Sequence, residues 1–316
     1  YHWVESDLRL AQPVMRRGAA MAEPVSWADA LAAAGQALKA AGANVRVLAS
    51  AHASHEELFL AARLAQELLG DAAREAIGVS WTSSPKPQPE TTTFKVPEVN
   101  APNVAGAAVL GLVPAGARTP ALDSLKASVA TGEGLVVYVL DPGPAGSIGD
   151  VSWLIEARAA GRVSTLIVQG VMASELTAAA DIVLPGCAWV EKHAAYTNAT
   201  GQTQTTAKAI VPPGEARDDW QVLADLALAA GVDLGCTSLP EVRAAIVALL
   251  PEEPAVKGLT ELEYLKPGKA SHWLESSNPS ERVKWDSMFL DLPPFKFERM
   301  FDAGPRRGVI ELKPVK

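Results

Sequence analysis

The chain has 316 residues, of which 48% are apolar, and a formal net charge of −8. That length is enough for two domains with sizeable cores, and an acidic balance without clustered Lys or Arg excludes a nucleic-acid partner. No apolar run approaches the ~20 residues a membrane helix needs, so membrane association is expected to run through partner proteins. The two cysteines, Cys187 and Cys236, form no C-x-x-C pair. A cubane cluster takes four thiolates, and a structural zinc takes four closely spaced Cys or His ligands. This chain alone is expected to hold neither, and both thiols read as buried side chains.

In chain order, residues 1–25 read as an extended connector punctuated by Pro13, Gly18 and Pro24. Ser26 as N-cap, Asp29 at N3 and Gly42 as stop predict a helix over 26–42, with Leu31, Ala34 and Leu38 on its apolar face. Asn44–Ser50 predicts a strand. His55–Leu69 predicts the next helix, with Ser54 and Glu57 as a capping box. Gly78–Thr82 predicts a short strand, and the Pro-, Thr- and Ser-rich residues 83–105 an irregular loop. Leu135–Leu140 is a nearly continuous apolar run, as in a parallel strand covered on both faces. Helix Trp153–Ala160, strand Val163–Gln169, helix Glu175–Ala180 and strand Ile182–Leu184 complete a β-α-β-α-β series, which implies a doubly wound parallel sheet. Helices follow at Asp219–Ala230 and Leu239–Leu250. Residues 251–316 read as an extended docking tail whose Trp273, Trp285, Phe289, Phe295, Phe297 and Phe301 would anchor it on a partner or on this domain's own surface.

Residues 181–204, a buried strand that stops at Pro185 and a loop crowded with hydrogen-bonding groups, are the most informative stretch. Leu184-Pro-Gly-Cys-Ala188, Glu191-Lys-His-Ala-Ala-Tyr-Thr-Asn198 and Gly201-Gln-Thr-Gln204 resemble a segment of the molybdopterin oxidoreductase superfamily. Further landmarks occur in family order: Arg9-Leu10, Ser26-Trp27, Ala51-His-Ala-Ser-His-Glu-Glu-Leu58, Asn100-Ala-Pro-Asn103, Leu110-Gly-Leu112, Ile167-Val-Gln-Gly170 and Pro212-Pro-Gly-Glu-Ala-Arg-Asp-Asp-Trp220. Their wording is most similar to the large iron–sulfur subunit of respiratory complex I, and they span roughly residues 1–230.

The resemblance implies an α/β fold of two Rossmann-like parallel-sheet lobes, about 26–130 and 131–205, making one domain over 26–205. Residues 1–25 would connect it to a missing or separate cluster-bearing domain, and 206–316 would form helices and the tail. It implies a cluster-free structural role in electron transfer from NADH to quinone. Iron–sulfur clusters would sit in the N-terminal part or a partner chain, with neighbours among the hydrophilic-arm subunits. The location would be the matrix side of the mitochondrial inner membrane, or the cytoplasmic face of a bacterial one. No catalytic, metal or cofactor-binding residue is expected in this chain. In the superfamily's enzymes a pterin dinucleotide lies at such strand ends. The corresponding vestigial crevice here would involve Ser50, His52, Ser54, Asp141, Gln169, Ser174, Glu175 and Asn198.

Two departures weaken a dinucleotide site. Ala194 stands where the enzymes have Gly, and Gln202 replaces an Arg, the donor anionic phosphates prefer. Two alternatives remain: a molybdopterin-dependent, formate-dehydrogenase-like subunit, and a free-standing α/β nucleotide-binding protein. Ser54 with His52 and His55 lacks a G-x-S-x-G elbow and reads as a helix cap. Glu191-Lys192 reads as an internal ion pair that fixes its loop.

Overall fold

The computed structural model describes residues 2–16, 18, 21–92 and 96–249; the tail expected over 251–316 lies outside them. The elements are β1 (Val14–Met15), β2 (Glu23–Pro24), α1 (Trp27–Ala41), β3 (Val45–Ser50), α2 (His55–Leu69), α3 (Ala73–Ala76), β4 (Ile77–Ser80), α4 (Val104–Val109), α5 (Asp123–Thr131), β5 (Leu135–Asp141), α6 (Ser152–Ala159), β6 (Val163–Gly170), α7 (Glu175–Ala179), β7 (Ile182–Pro185), β8 (Ala194–Thr197), β9 (Thr203–Thr206), α8 (Asp219–Ala229) and α9 (Leu239–Leu249).

The predicted helices and strands form where capping and apolar pattern place them. Ser26 Oγ accepts the Asp29 N–H at the start of α1. Ser54 and Glu57 close a reciprocal capping box at the start of α2. Ser54 is thus the cap that the spacing predicts. α5 and the β8–β9 hairpin were not foreseen. The short hydrophobic pattern of α5 sits inside a Pro- and Gly-rich region, and β8–β9 is a two-stranded unit whose polar outer strand gives no clear alternation.

Seven strands form one sheet in the order β2-β1-β7-β6-β5-β3-β4. β4, β3, β5, β6 and β7 are parallel. The expected neighbours Leu135–Leu140 and Val163–Gln169 do pair, with Val137 opposite Leu166 and Val139 opposite Val168. The fold is therefore mixed α/β with a largely parallel sheet.

The two expected lobes are not separate sheets. β3, from the first, pairs directly with β5, from the second, with Val45 opposite Val136 and Ala49 opposite Leu140. The reason is burial. Every residue of β5 is buried and β3 is buried at all but one position, so neither strand can serve as a free edge. Residues 1–25 also differ from a plain connector. β1 pairs antiparallel with β7, and β2 with β1, so this segment caps one edge of the sheet.

Helices cover both faces. α1, α2, α8 and α9 bury one core with Leu38, Leu58, Leu64, Leu226 and Ile246. α5, α6 and α7 bury the other with Leu125, Leu154 and Leu176. Each fully buried Leu, Ile or Val is worth about 1.5–3 kcal/mol relative to exposure, so the sheet-and-helix sandwich supplies most of the driving force.

Candidate functional site

Strand order locates the site. From β3 the chain crosses outward to β4 and then returns to place β5 on the opposite side of β3. The direction of winding reverses there, which opens a crevice at the carboxyl ends of β3 and β5. These ends are Ser50 and Asp141. A cleft of about 660 Å³ lies there, lined by Trp3, His52, Asn100, Pro102, Pro142, Pro144, Trp189, Tyr196, Asn198, Gln204, Thr205 and Thr206.

The loop after β7 forms one wall, and buried charges fix it. Arg9 donates to both Glu191 carboxylate oxygens, at 2.9 and 2.6 Å, and to the Val4 carbonyl at 2.7 Å. Both side chains of this pair are almost completely buried. Lys192 Nζ lies 2.6 Å from Glu57 Oε1 and 2.7 Å from Asp219 Oδ2. Asp219 also accepts the Cys187 N–H at 3.0 Å and a Gln169 Nε2 hydrogen at 2.9 Å. Tyr138 Oη in turn donates to Gln169 Oε1 at 2.6 Å. Glu56 accepts from the Ala195 N–H at 3.0 Å and from Arg243 Nε at 2.7 Å. Asn103 accepts the Thr197 N–H at 2.8 Å, and His55 Nε2 meets Thr197 Oγ1 at 2.7 Å.

Glu191 and Lys192 are therefore not partners of each other. Their side chains diverge, one to Arg9 and one to α2 and α8, because Glu191 closes a short 3-10 turn, Trp189–Glu191, and Lys192 follows it in extended backbone. The result still fixes the loop, through two separate anchors. Burial alone would lower the Lys192 pKa, yet Asp219 and Glu57 raise it well above the usual amine value. Glu57 is held above the ordinary carboxylate range by burial, with the nearby Asp219 charge adding to the rise. One ammonium serves two carboxylates.

The expected crevice residues divide into two groups. His52 and Asn198 line the cleft. Ser50 and Asp141 lie buried beneath it, with Ser50 Oγ accepting the His52 N–H at 3.2 Å and the Asp141 carboxylate bonded to Ser50 and the Gly143 amide. The others are elsewhere. Ser54 caps α2, Gln169 is wholly buried between Tyr138 and Asp219, Ser174 caps α7, and Glu175 is exposed in the first turn of α7. The sequence reading missed Trp3, Trp189, Tyr196 and the outer strand β9 in the cleft, and the ion-pair partners Arg9, Asp219 and Arg243. Arg9, Asp219 and Arg243 are each far in sequence from the charges they meet, so no local pattern announces them.

Asp141 is 8% exposed, and its Oδ1 has no hydrogen-bond partner. Burial pushes its pKa up to about 7, against the opposing hydrogen bonds from Gly143 and Ser50. The folded value is thus raised above the unfolded one. The neutral form's contribution to stability is complete below about pH 4 and is lost as pH rises through 7. Asp141→Asn keeps a carbonyl acceptor without the charge. It should come close to the wild type in thermal denaturation at pH 4 and exceed it at pH 8 by on the order of 4 kcal/mol. An equal difference at both pH values would refute this assignment.

A pterin dinucleotide carries a pyrophosphate that calls for Arg or Lys donors, and its metal calls for a thiolate, selenolate, hydroxyl or carboxylate ligand. Among the described residues the cleft is lined by no Lys, Arg, Cys, Asp or Glu, and no group of three His, Cys, Asp or Glu is arranged to hold a metal ion. Both cysteines are buried, and Cys187, whose pKa is raised by burial with Asp219 and Asp218 adding to the rise, turns inward behind the loop. This lining does not fit the group.

Residues 90–229, somewhat less than half of the chain, match the family model described as Molybdopterin oxidoreductase. The chain is 35% identical over 91 residues to the F420-dependent formate dehydrogenase subunit alpha of Methanocaldococcus jannaschii, an alignment covering 29% of this chain and 13% of that protein. It is 30% identical over 120 residues to the mitochondrial NADH-ubiquinone oxidoreductase 78 kDa subunit of Neurospora crassa, covering 35% of this chain and 16% of that protein. It is 35% identical over 72 residues to the NADH-ubiquinone oxidoreductase 75 kDa subunit of Reclinomonas americana, covering 23% and 10%. The matches thus take in only a small part of these longer relatives. Acetylene hydratase from Pelobacter acetylenicus superposes with a TM-score of 0.42 at 11% identity, over 73% of this chain and 62% of that one. Over residues 90–229 the chain is thus similar to the molybdopterin oxidoreductase family, and parts of it are similar to complex I large subunits and to formate dehydrogenase alpha subunits.

Proposed function

We propose that this chain is the cluster-free structural domain of a complex-I-type large iron–sulfur subunit. It supports electron transfer from NADH to quinone by bracing a cluster-bearing polypeptide and docking its neighbours in the hydrophilic arm. The observation that carries this reading is the inward direction of the charges on the loop after β7. Glu191 and Lys192 are both consumed by ion pairs within the domain, and the cleft beside them offers no cationic or thiolate group. Similarity to the 75 and 78 kDa NADH-ubiquinone oxidoreductase subunits supports the partner class. No helix among the described residues is long and apolar enough to cross a membrane, which accords with a peripheral place on the matrix side, or on the cytoplasmic face of a bacterial membrane.

The test is association together with metal content. Extracted from its own membranes in mild detergent, the chain should migrate with a multisubunit, NADH-oxidising complex and carry no stoichiometric molybdenum or tungsten. A free monomer that turns over its own substrate overturns the proposal. The similarity to formate dehydrogenase alpha subunits keeps a second reading, a molybdopterin-dependent subunit, and stoichiometric molybdenum or tungsten would establish it.

A further inference from the structure

The lining that rejects a dinucleotide has a positive chemistry of its own. We infer that the cleft binds an uncharged purine nucleoside of the adenosine type, with its base held among aromatic rings and no phosphate. The volume of about 660 Å³ lies within the ordinary range of small-molecule sites. Trp3 from the N-terminal segment, with Trp189 and Tyr196 from the stretch after β7, gives the cleft an aromatic lining, the kind of surface on which bases stack.

Polar groups in the lining match an adenine edge, which offers an amino donor beside a ring-nitrogen acceptor. His52 Nε2 lies 3.1 Å from the Asn100 carbonyl oxygen and so must donate, leaving Nδ1 as an acceptor. Burial lowers the His52 pKa to about 4, which keeps the ring neutral at physiological pH. Gln204 accepts the Asn198 side-chain amide at 3.4 Å through Oε1 and retains its own amide N–H groups as donors. The Pro142-Gly143-Pro144 turn forms part of the floor. A Cβ on Gly143 would collide with Ser147 Oγ and the His52 ring, so the glycine allows His52 to sit close against the turn.

Phosphates are disfavoured twice over. The described lining carries no cation, and the chain as a whole has a net charge of −8. This inference goes beyond the structural role proposed above, and its failure would leave that role standing.

Isothermal titration of the full chain with adenosine and with AMP is the test. Saturable adenosine binding is expected, with AMP weaker by about tenfold or more. Trp3→Ala should weaken adenosine by about tenfold or more, the loss of one stacking face, at an unchanged melting temperature. Should that variant fail to fold, Gln204→Lys on the exposed strand β9 is the second measurement. It places a cation at the cleft and should shift the preference towards AMP. Absence of adenosine saturation, AMP binding as tight as adenosine to the wild type, full adenosine affinity in a folded Trp3→Ala, or an unaltered preference in Gln204→Lys would each overturn the assignment.

Discussion

Lys192→Met is expected to destabilise the domain by at least about 3–5 kcal/mol, the range for removing one partner from a buried ion pair. The methylene stem of Lys192 is of similar shape to Met, so packing changes little. What is lost is the ammonium between Glu57 Oε1 and Asp219 Oδ2, at 2.6 and 2.7 Å, in a place where all three side chains are at most 2% exposed. Two carboxylates would then face each other without a counterion. Protonation relieves that repulsion, so the deficit in melting temperature should be larger at pH 8 than at pH 5.5. Adding Asp219→Asn to Lys192→Met should recover part of the loss, since one of the two charges is gone. Thermal and denaturant unfolding of the three variants measures this directly. An exposed lysine would give a change within about 0.5 kcal/mol at every pH, and that result would refute the buried triad.

Arg9→Met is the second large effect, again about 3–5 kcal/mol, which for a unit of this size corresponds to a fall in melting temperature on the order of 10 °C. Arg9 makes a two-pronged contact with Glu191 and also donates to the Val4 and Val171 carbonyls, the latter at 3.2 Å. Truncation leaves Glu191 buried with only the Ala188 N–H at 2.7 Å. Glu191→Gln keeps an acceptor for that amide, so the Arg9→Met/Glu191→Gln double variant should be more stable than Arg9→Met alone. Hydrogen exchange should report the loss locally, at Ala188 and Glu191. If Arg9→Met matched the wild type, residues 2–16 would be a mere tether and their place on the sheet would be unsupported.

Local chemistry made much of the fold readable. The capping box of Ser54 and Glu57 lies within four consecutive residues, and both halves of its hydrogen bonding form as the spacing demands. The unbroken apolar run of β5 requires cover on both faces and receives it. The ends of β3 and β5 were legible as a crevice for the same reason, because a parallel doubly wound sheet has only one kind of place for it. His52 and Asn198, which the family resemblance had named, lie in the lining of the cleft.

The sequence by itself determined the main helices and the parallel strands, the parallel class of the sheet and the segment after β7 that walls the cleft, because caps, apolar periods and strand ends are short-range properties. Tertiary structure alone decided that the two expected lobes share one sheet, that Glu191 and Lys192 part company, and that Trp3, Trp189 and Tyr196 line one cleft whose described lining has no Lys or Arg. Those outcomes depend on pairings such as Arg9 with Glu191 and Glu56 with Arg243, which lie 182 and 187 residues apart. A buried charge must find a partner wherever the packed chain offers one, and a linear pattern does not encode where that is.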